Sequence, residues 1–213
     1  MKKTAIAGLI AAGLAFVSPA AASTVALTGF EGGAYVTSGT DQLYGWFFDL
    51  SDTISVDALG VGDVDNDGLA IAHDVGIYRV SDQTLLVSAT VGAGTSGTLL
   101  DGFRYVDITP FTLGAGSYVI VMTMPQRNAD RQIINASNPT TSGPVSYVTS
   151  AFGDGPGLGY PVAPGAFAEG LFGPNFTFTT GGVPEPGTWA LMLLGFGGMG
   201  VAIRARRRAA AAA

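Results

Sequence analysis

Short runs of β-forming residues recur along the middle of the chain, and turn residues separate them. The clearest runs are 44–50, 54–61, 75–80, 85–91, 103–108, 117–124 and 175–179. Seven or more such runs at this spacing predict an all-β fold, an antiparallel β-sandwich that is jelly-roll-like. Within the first run Trp46, Phe48 and Leu50 fall on every second position, which places them on one face of the strand. We therefore expect these large side chains to form part of the core.

The region between positions 124 and 176 has a different composition. Gly, Pro, Ser and Asn are frequent there, as in Gly153-Asp-Gly-Pro-Gly157, and the strand pattern becomes loose. The sequence predicts long loops in this region, and long loops in a compact domain are usually either functional or mobile.

The charge of the middle region excludes several classes of partner. Positions 24–182 contain 15 acidic residues against 4 arginines and no lysine, which gives a net charge of −11. Such a body should repel nucleic acid and anionic lipid and attract cations. The chain has no cysteine, so disulfides, thiolate metal sites and cysteine nucleophiles are excluded.

The N-terminal residues have the pattern of a signal peptide. Lys2 and Lys3 provide the positive start, an apolar stretch follows, and Ala20-Ala21-Ala22 is a small-residue cleavage site. We expect residues 1–22 to form a signal helix that is removed on export, leaving Ser23 as the first residue of the mature protein.

The C-terminal residues have the pattern of a single membrane span. Positions 189–203 form an uncharged run of 15 residues. With the flanking residues included, this run reaches the length that a spanning helix needs. The basic cluster that follows consists of Arg204, Arg206, Arg207 and Arg208. Positive charge beside a span stays on the cytoplasmic side, so the body should lie outside. The predicted segments are a signal peptide 1–22, a β-sandwich body 23–182, a Pro-Glu-Pro segment 183–188, a transmembrane helix 189–203 and a cytoplasmic tail 204–213.

The residues before the span carry a specific motif. Pro184, Glu185 and Pro186 are followed by Trp189 and Ala190, then by the glycine-containing apolar segment and the arginine cluster. This tail resembles the PEP-CTERM sorting signal in its Pro-Glu-Pro-x-x-Trp-Ala form, a tail that also bears the name ice-binding protein C-terminal domain without implying ice binding. The resemblance implies an exosortase as partner, a transient membrane anchor, release to the cell surface or extracellular matrix, and association with exopolysaccharide.

An acidic loop is the sharpest local motif of the body. Asp63, Asp65 and Asp67 alternate before Gly68, and Asp74 stands at the twelfth position, as in the start of a calcium-binding loop. The last position is usually Glu, and strand-like runs rather than helices flank this loop. Two interpretations stay open: a calcium site, or a solvated turn rich in residues that favour turns. We expect no obligatory cofactor and keep calcium as an alternative.

The supply of catalytic side chains in the body is small. His73 is the only histidine of the chain, and the pattern predicts that it lies in a loop or at the start of a strand. We therefore expect a non-enzymatic protein without catalytic residues. A calcium-dependent glycan-binding module and a glycan-active hydrolase are the alternatives, because acidic pairs for glycoside hydrolysis cannot be recognised by spacing alone.

Overall fold

The computed structural model describes residues 22–125, 130–165 and 170–181, together with positions 195, 196, 199 and 204. The strands are β1 (Thr24–Val25), β2 (Leu27–Val36), β3 (Gln42–Leu50), β4 (Ile54–Gly62), β5 (His73–Arg79), β6 (Leu85–Val91), β7 (Thr98–Leu100), β8 (Phe103–Leu113), β9 (Gly116–Met124), β10 (Gln132–Thr141), β11 (Val145–Asp154), β12 (Ala163–Pro164), β13 (Leu171–Phe172) and β14 (Pro174–Thr180). The body is all-β, as predicted. Each predicted run coincides with one of these strands, with boundaries that differ by a few residues.

The strands form three sheets in which neighbouring strands are antiparallel. A five-stranded sheet has the order β1-β14-β4-β8-β7, a six-stranded sheet has the order β12-β11-β3-β9-β5-β6, and β13-β10-β2 form a smaller sheet. The antiparallel pairing confirms that part of the prediction and is consistent with a β-sandwich. The jelly-roll-like connectivity stays a prediction.

The two large sheets pack face to face around an aromatic core. Trp46 and Phe48 of β3 are fully buried, and their rings lie 6.0 and 5.1 Å from the ring of Phe176 in β14. The indole Nε1 of Trp46 donates a hydrogen bond of 2.9 Å to the carbonyl of Pro174, which satisfies its one polar group. These contacts confirm that the alternating residues of β3 face the core.

The other face of β3 is covered as well. Phe47 belongs to a second buried cluster with Tyr78, Val119 and Val121, and Tyr160 packs on it from the segment after β11. The six-stranded sheet is therefore apolar on both faces at its centre, and this explains the continuous apolar run from Tyr118 to Met122 in β9.

The prediction of long loops between positions 124 and 176 is wrong. Two strands of ten residues, β10 and β11, occupy much of this region. The backbone of β10 takes positive φ at Asn135 and Asn138, and its pairing with β2 has register shifts. Irregular strands of this kind contain Asn and Pro, so their sequences resemble loops.

The register of β4, β8 and β14 defines two opposite ends of the five-stranded sheet, and so of the body. Thr180, the last residue of β14, lies opposite Ile54, and Ile54 lies opposite Leu113. This end, where the chain continues toward position 182, is called the exit end. Gly62 and Phe103 pair at the other end of the same sheet, eight residue steps or about 26 Å away. It is called the distal end.

The predicted signal helix and the predicted transmembrane helix lie outside the described residues, apart from Ala22 and the isolated positions 195, 196 and 199. Across the described parts of the chain, no helix has both the length and the apolar character needed to cross a bilayer.

Candidate functional site

The acidic loop lies at the distal end and is held by an arginine. Asp63 is buried, and its Oδ2 accepts hydrogen bonds from the Nε of Arg104 at 2.8 Å and from the backbone N–H of Gly68 at 3.0 Å. Arg104 also donates to the carbonyl oxygens of Asn66 and Gly97. The guanidinium thus binds a carboxylate and a carbonyl oxygen of the loop, the types of group that a cation would bind, and connects them to Gly97 before β7.

A second arginine compensates the outer part of the loop. The Nη2 of Arg131 donates to Asp65 at 2.5 Å, and both side chains are about half exposed. The hydrogen bond from Arg131 to Asp65, together with the charges of Asp65 and Asp67, raises the pKa of Arg131. The guanidinium also lies 5.4 Å from the centre of the Tyr35 ring, a distance suited to a cation–π contact.

Asp74 has different neighbours from the other three predicted metal ligands. It lies in β5, accepts a hydrogen bond of 2.6 Å from Thr90, and lines a separate small cleft of about 170 Å³. Within 22–125, 130–165 and 170–181, no three His, Cys, Asp or Glu side chains are grouped in a way that could hold a metal ion. The calcium hypothesis for Asp63, Asp65, Asp67 and Asp74 gains no support from this geometry and stays a prediction.

His73 is the first residue of β5, the second of its two predicted placements, and it is fully buried, which its sequence context did not reveal. One ring nitrogen, Nδ1, lies 2.7 Å from the carbonyl oxygen of Thr123, and Nε2 lies 2.9 Å from Oδ2 of Asp130. Asp130 also accepts from the backbone N–H groups of Ala70 and Ile71. This network ties the segment before β5 to the segment before β10, 57 residues further along the chain.

The ionisation of Asp130 follows from these contacts. Burial alone would raise the pKa of Asp130, but the hydrogen bonds from His73, Ala70 and Ile71 outweigh it and leave this pKa below its ordinary value. The carboxylate is therefore the stable form near neutral pH. With both ring nitrogens of His73 engaged, the pair has the character of a structural link between loops.

A cleft of about 260 Å³ lies beside the acidic loop at the distal end. Its walls combine aromatic rings, polar side chains and glycine backbone. The lining includes Phe30, Tyr35, Asp63, Asp101, Phe103 and Gln132. Sequence reasoning missed this cleft because residues from β2, the β4–β5 loop, the β7–β8 turn and β10 meet only in the folded chain.

The N-terminal segment of the body reaches the exit end. β1 pairs with β14, so that Thr24 lies opposite Phe178, two residues before the end of β14. The hydroxyl of Ser23 donates a hydrogen bond of 2.5 Å to Asp57, and Thr177 donates to the same carboxylate. The predicted start of the mature protein and the start of the C-terminal tail therefore lie close together.

The predicted sorting residues Pro184, Glu185, Pro186, Trp189 and Ala190 lie outside the described residues, as do Arg206, Arg207 and Arg208 of the basic cluster. Arg204 is described as an exposed helical position.

An antiparallel β-body followed by an apolar segment and an arginine cluster has the plan of an exported protein with a sorting tail. Residues 182–208 match the family model of the PEP-CTERM protein-sorting motif, so the chain carries this motif. The predicted resemblance is confirmed, and the motif implies export, processing by an exosortase and transient association with the membrane. The comparisons with curated proteins and with solved structures gave no match.

Proposed function

We propose that this chain is a non-enzymatic surface or extracellular-matrix protein whose β-body binds exopolysaccharide after an exosortase has processed its tail. The sorting motif at 182–208 carries the processing part of this proposal. The polysaccharide part rests on the body, and the placement of its distal cleft is the observation that supports it.

The arrangement of the two ends suits display of a binding surface. The chain leaves the body at the exit end, after Thr180, whereas the cleft lies beside Gly62 and Phe103 about 26 Å away along the sheet. While the tail holds the protein at the membrane, the cleft is on the side of the body turned away from the point of attachment. A ligand in the matrix can then reach it without passing the anchor.

The chemistry of the body favours binding over catalysis. The single histidine has hydrogen bonds at both ring nitrogens, and there is no cysteine in the chain. The acidic body also disfavours nucleic acid as partner. A glycan hydrolase would need a pair of carboxyl groups facing one open cleft, one of them kept protonated. Asp63 and Asp101 both line the distal cleft, but Asp63 is buried and bound by Arg104, which disfavours it as a member of such a pair.

Co-sedimentation with polysaccharide from the producing cells tests the binding part. The mature protein should pellet with this polysaccharide equally well with calcium and with a chelator, because arginines compensate Asp63 and Asp65. Retention that needs calcium would instead support the calcium-dependent glycan-binding alternative. Release of shorter saccharides, abolished by one Asp or Glu substitution, would support a hydrolase.

Intact-mass measurement tests the processing part. The protein from parent cells should end near Pro184-Glu185-Pro186, and the protein from cells without the exosortase should keep the full tail. The same C-terminus in both would contradict exosortase processing.

A further inference from the structure

One edge of the six-stranded sheet lacks the features that keep sheet edges from pairing. It belongs to β6 (Leu85–Val91), the last strand in the order β12-β11-β3-β9-β5-β6. We propose that this edge pairs with the same edge of a second copy of this chain, antiparallel and about a two-fold axis at Ser88. The inference concerns assembly of the body and does not depend on polysaccharide binding.

The backbone groups of β6 point to the open edge at two positions. Asp74 of β5 lies opposite Thr90, and the N–H of Asp74 donates to the hydroxyl of Thr123 in β9, on the other side of β5. Asp74 and Thr90 are therefore a pair without mutual backbone hydrogen bonds, and in such a pair the N–H and C=O groups of the two residues point away from each other. Ser88, two positions before Thr90, has the same orientation. These groups are the donors and acceptors that a further strand would use.

Open space and exposed side chains border this edge. Ser88 and Thr90 are exposed, and of the seven residues of β6 only Val91 is buried. A cleft of about 450 Å³ is lined by Thr90 together with Val106 and Asp107 of β8. The five-stranded sheet therefore leaves this part of β6 uncovered.

The other strand edges in the described parts of the chain carry features that prevent pairing. β1, β7, β12 and β13 have only two or three residues each. β2 contains Glu31 and takes positive φ at Gly32 and Gly33, and the part of β8 beyond β7 contains Asp107 and Pro110. A register shift against β3 interrupts the part of β11 that extends beyond β12. Short length, charge, proline and bulges are the usual protections of an edge strand.

β6 has none of these protections along its regular part. Its sequence from Leu85 to Val91 contains no charged residue, no proline and no glycine. The one register shift against β5 lies between Leu85 and Val87, and the residues from Val87 to Val91 pair with β5 without interruption. An uncharged, regular edge of this kind is a template for pairing with another chain.

Charge and symmetry favour a second copy of the chain as the partner. The body carries 15 acidic residues against 4 arginines, so two bodies repel each other over most of their surface and approach most easily at an uncharged edge. With the two-fold axis at Ser88, Val87 of one copy lies opposite Ala89 of the other. Both side chains are partly buried and packed against the core. The pair would therefore continue the apolar core face from one body to the next.

An antiparallel pair directs the exit ends of its two bodies in opposite directions. Arg79, at the end of β5 from which the chain turns into β6, lies opposite Tyr118, and Tyr118 lies opposite Phe48 near the end of β3. Only three residues separate the end of β3 from Ile54 at the exit end, so β6 starts near the exit end and runs toward the distal end. Two copies that hold one membrane by their tails would have parallel strands. The test therefore uses chains in detergent, where no shared membrane aligns them.

Spin labels on single cysteines test the pairing, because the chain has no cysteine of its own. Ser88→Cys and Ser146→Cys replace exposed serines of β6 and β11, on opposite sides of the same sheet, in the full-length chain in non-ionic detergent. Electron paramagnetic resonance should show strong dipolar coupling at position 88, where the strands of two copies lie about 5 Å apart. At position 146 the two labels would lie nine strand spacings apart, about 43 Å or more, so their coupling should be weak.

A charge at the two-fold axis should break the pair. The edge is only about 23 Å long, so we expect a weak dimer, whose dissociation constant sedimentation equilibrium measures. Ser88→Lys places two lysines opposite each other and should raise this constant about tenfold or more. Ser146→Lys is the matched control and should leave it unchanged. Both variants should keep the wild-type Tm, because both side chains are exposed.

Two results would overturn the inference. Absence of strong coupling at position 88, or stronger coupling at position 146, would remove β6 as the contact between copies. A dimer with the same dissociation constant in wild type and Ser88→Lys would place the association elsewhere on the chain, for example in its apolar tail. Neither result bears on polysaccharide binding, which co-sedimentation measures separately.

Discussion

A buried ion pair between Asp63 and Arg104 holds the acidic loop at the distal end. Asp63 and Arg104 are 3% and 7% exposed at their side chains, so their pair is desolvated and depends on good geometry. Arg79 and Asp82 form the opposite case, a pair exposed by nearly half. The chain therefore contains a buried and an exposed arginine–aspartate pair that can be compared directly.

Replacing Arg104 should be far more costly than replacing Arg79. Arg104→Met leaves the Asp63 carboxylate buried without its counter-charge and also removes donors to Asn66 and Gly97, so we expect a loss of about 3 kcal/mol or more. Arg79→Met should cost far less, because water screens the charge of its exposed partner Asp82. Urea unfolding of both variants measures this difference. Equal losses in the two variants would contradict the burial argument.

Asp130 should make part of the stability depend on pH. Its pKa in the folded protein is below the ordinary value of 3.8, so folding is favoured while the carboxylate is ionised. This stabilisation is complete well above pH 3.8 and is lost as the pH falls through the lowered pKa. Asp130→Asn should therefore have a lower Tm than wild type near neutral pH, and the gap should narrow as the pH falls below 3.8. A gap that stays constant down to pH 2 would contradict this.

At the scale of elements, two arginines bind carboxylates of the acidic loop that the sequence motif would assign to a calcium ion. Because Arg104 and Arg131 already bind Asp63 and Asp65, we expect millimolar calcium and a chelator to give the same Tm. Differential scanning calorimetry measures both. A rise in Tm with calcium that disappears in Asp65→Asn would support the calcium hypothesis. It would also show that Asp65 leaves its hydrogen bond with Arg131 when calcium binds.

The close contact between β3 and β9 depends on one glycine. A Cβ atom at Gly45 would lie 1.9 Å from the carbonyl oxygen of Ile120, closer than any side chain allows. Gly45→Ala should therefore cost more than about 3 kcal/mol, since the central strands of the six-stranded sheet would have to separate. Gly39→Ala is the matched control, because nothing lies within 4 Å of a Cβ there. Urea unfolding compares them, and similar midpoints would contradict the clash.

Strands with regular alternation were predictable, and elements that depend on distant partners were not. The run around Trp46 shows its buried face in the sequence because every second residue is large and apolar. The sequence of β10 shows no such buried face, because Asn135 and Asn138 adopt positive φ and the pairing of β10 with β2 is irregular. The Asp63 loop was recognised, but Arg104 lies 41 residues away, so its role in neutralising the loop had no local signal.

At the scale of the whole molecule, strand pairing relates the sorting tail to the cleft. β1 and β14 bring the predicted mature N-terminus and the start of the tail to the exit end, and the β4–β5 loop and the β7–β8 turn lie at the distal end. On the proposed function, this arrangement places the distal loops on the side of the body that faces the matrix, both before and after the tail is cut. The link between positions 181 and 189 is short, at most about 28 Å when fully extended, so the body stays near its anchor.

Because the tail and the cleft lie at opposite ends of the body, we expect the exit end to lie closer to the membrane than the distal end. Because the chain has no cysteine, Thr53→Cys at the exit end and Asp101→Cys beside the cleft each introduce a unique labelling position. In vesicles that hold the unprocessed full-length chain, a fluorophore at position 53 should be quenched by headgroup-labelled lipid more strongly than one at position 101. Detergent solution should abolish the difference, which controls for local quenching by the protein. Equal quenching in vesicles would mean that the short link lets the body turn freely, and that the cleft reaches the matrix through rotation of the body instead of through its fixed distal position.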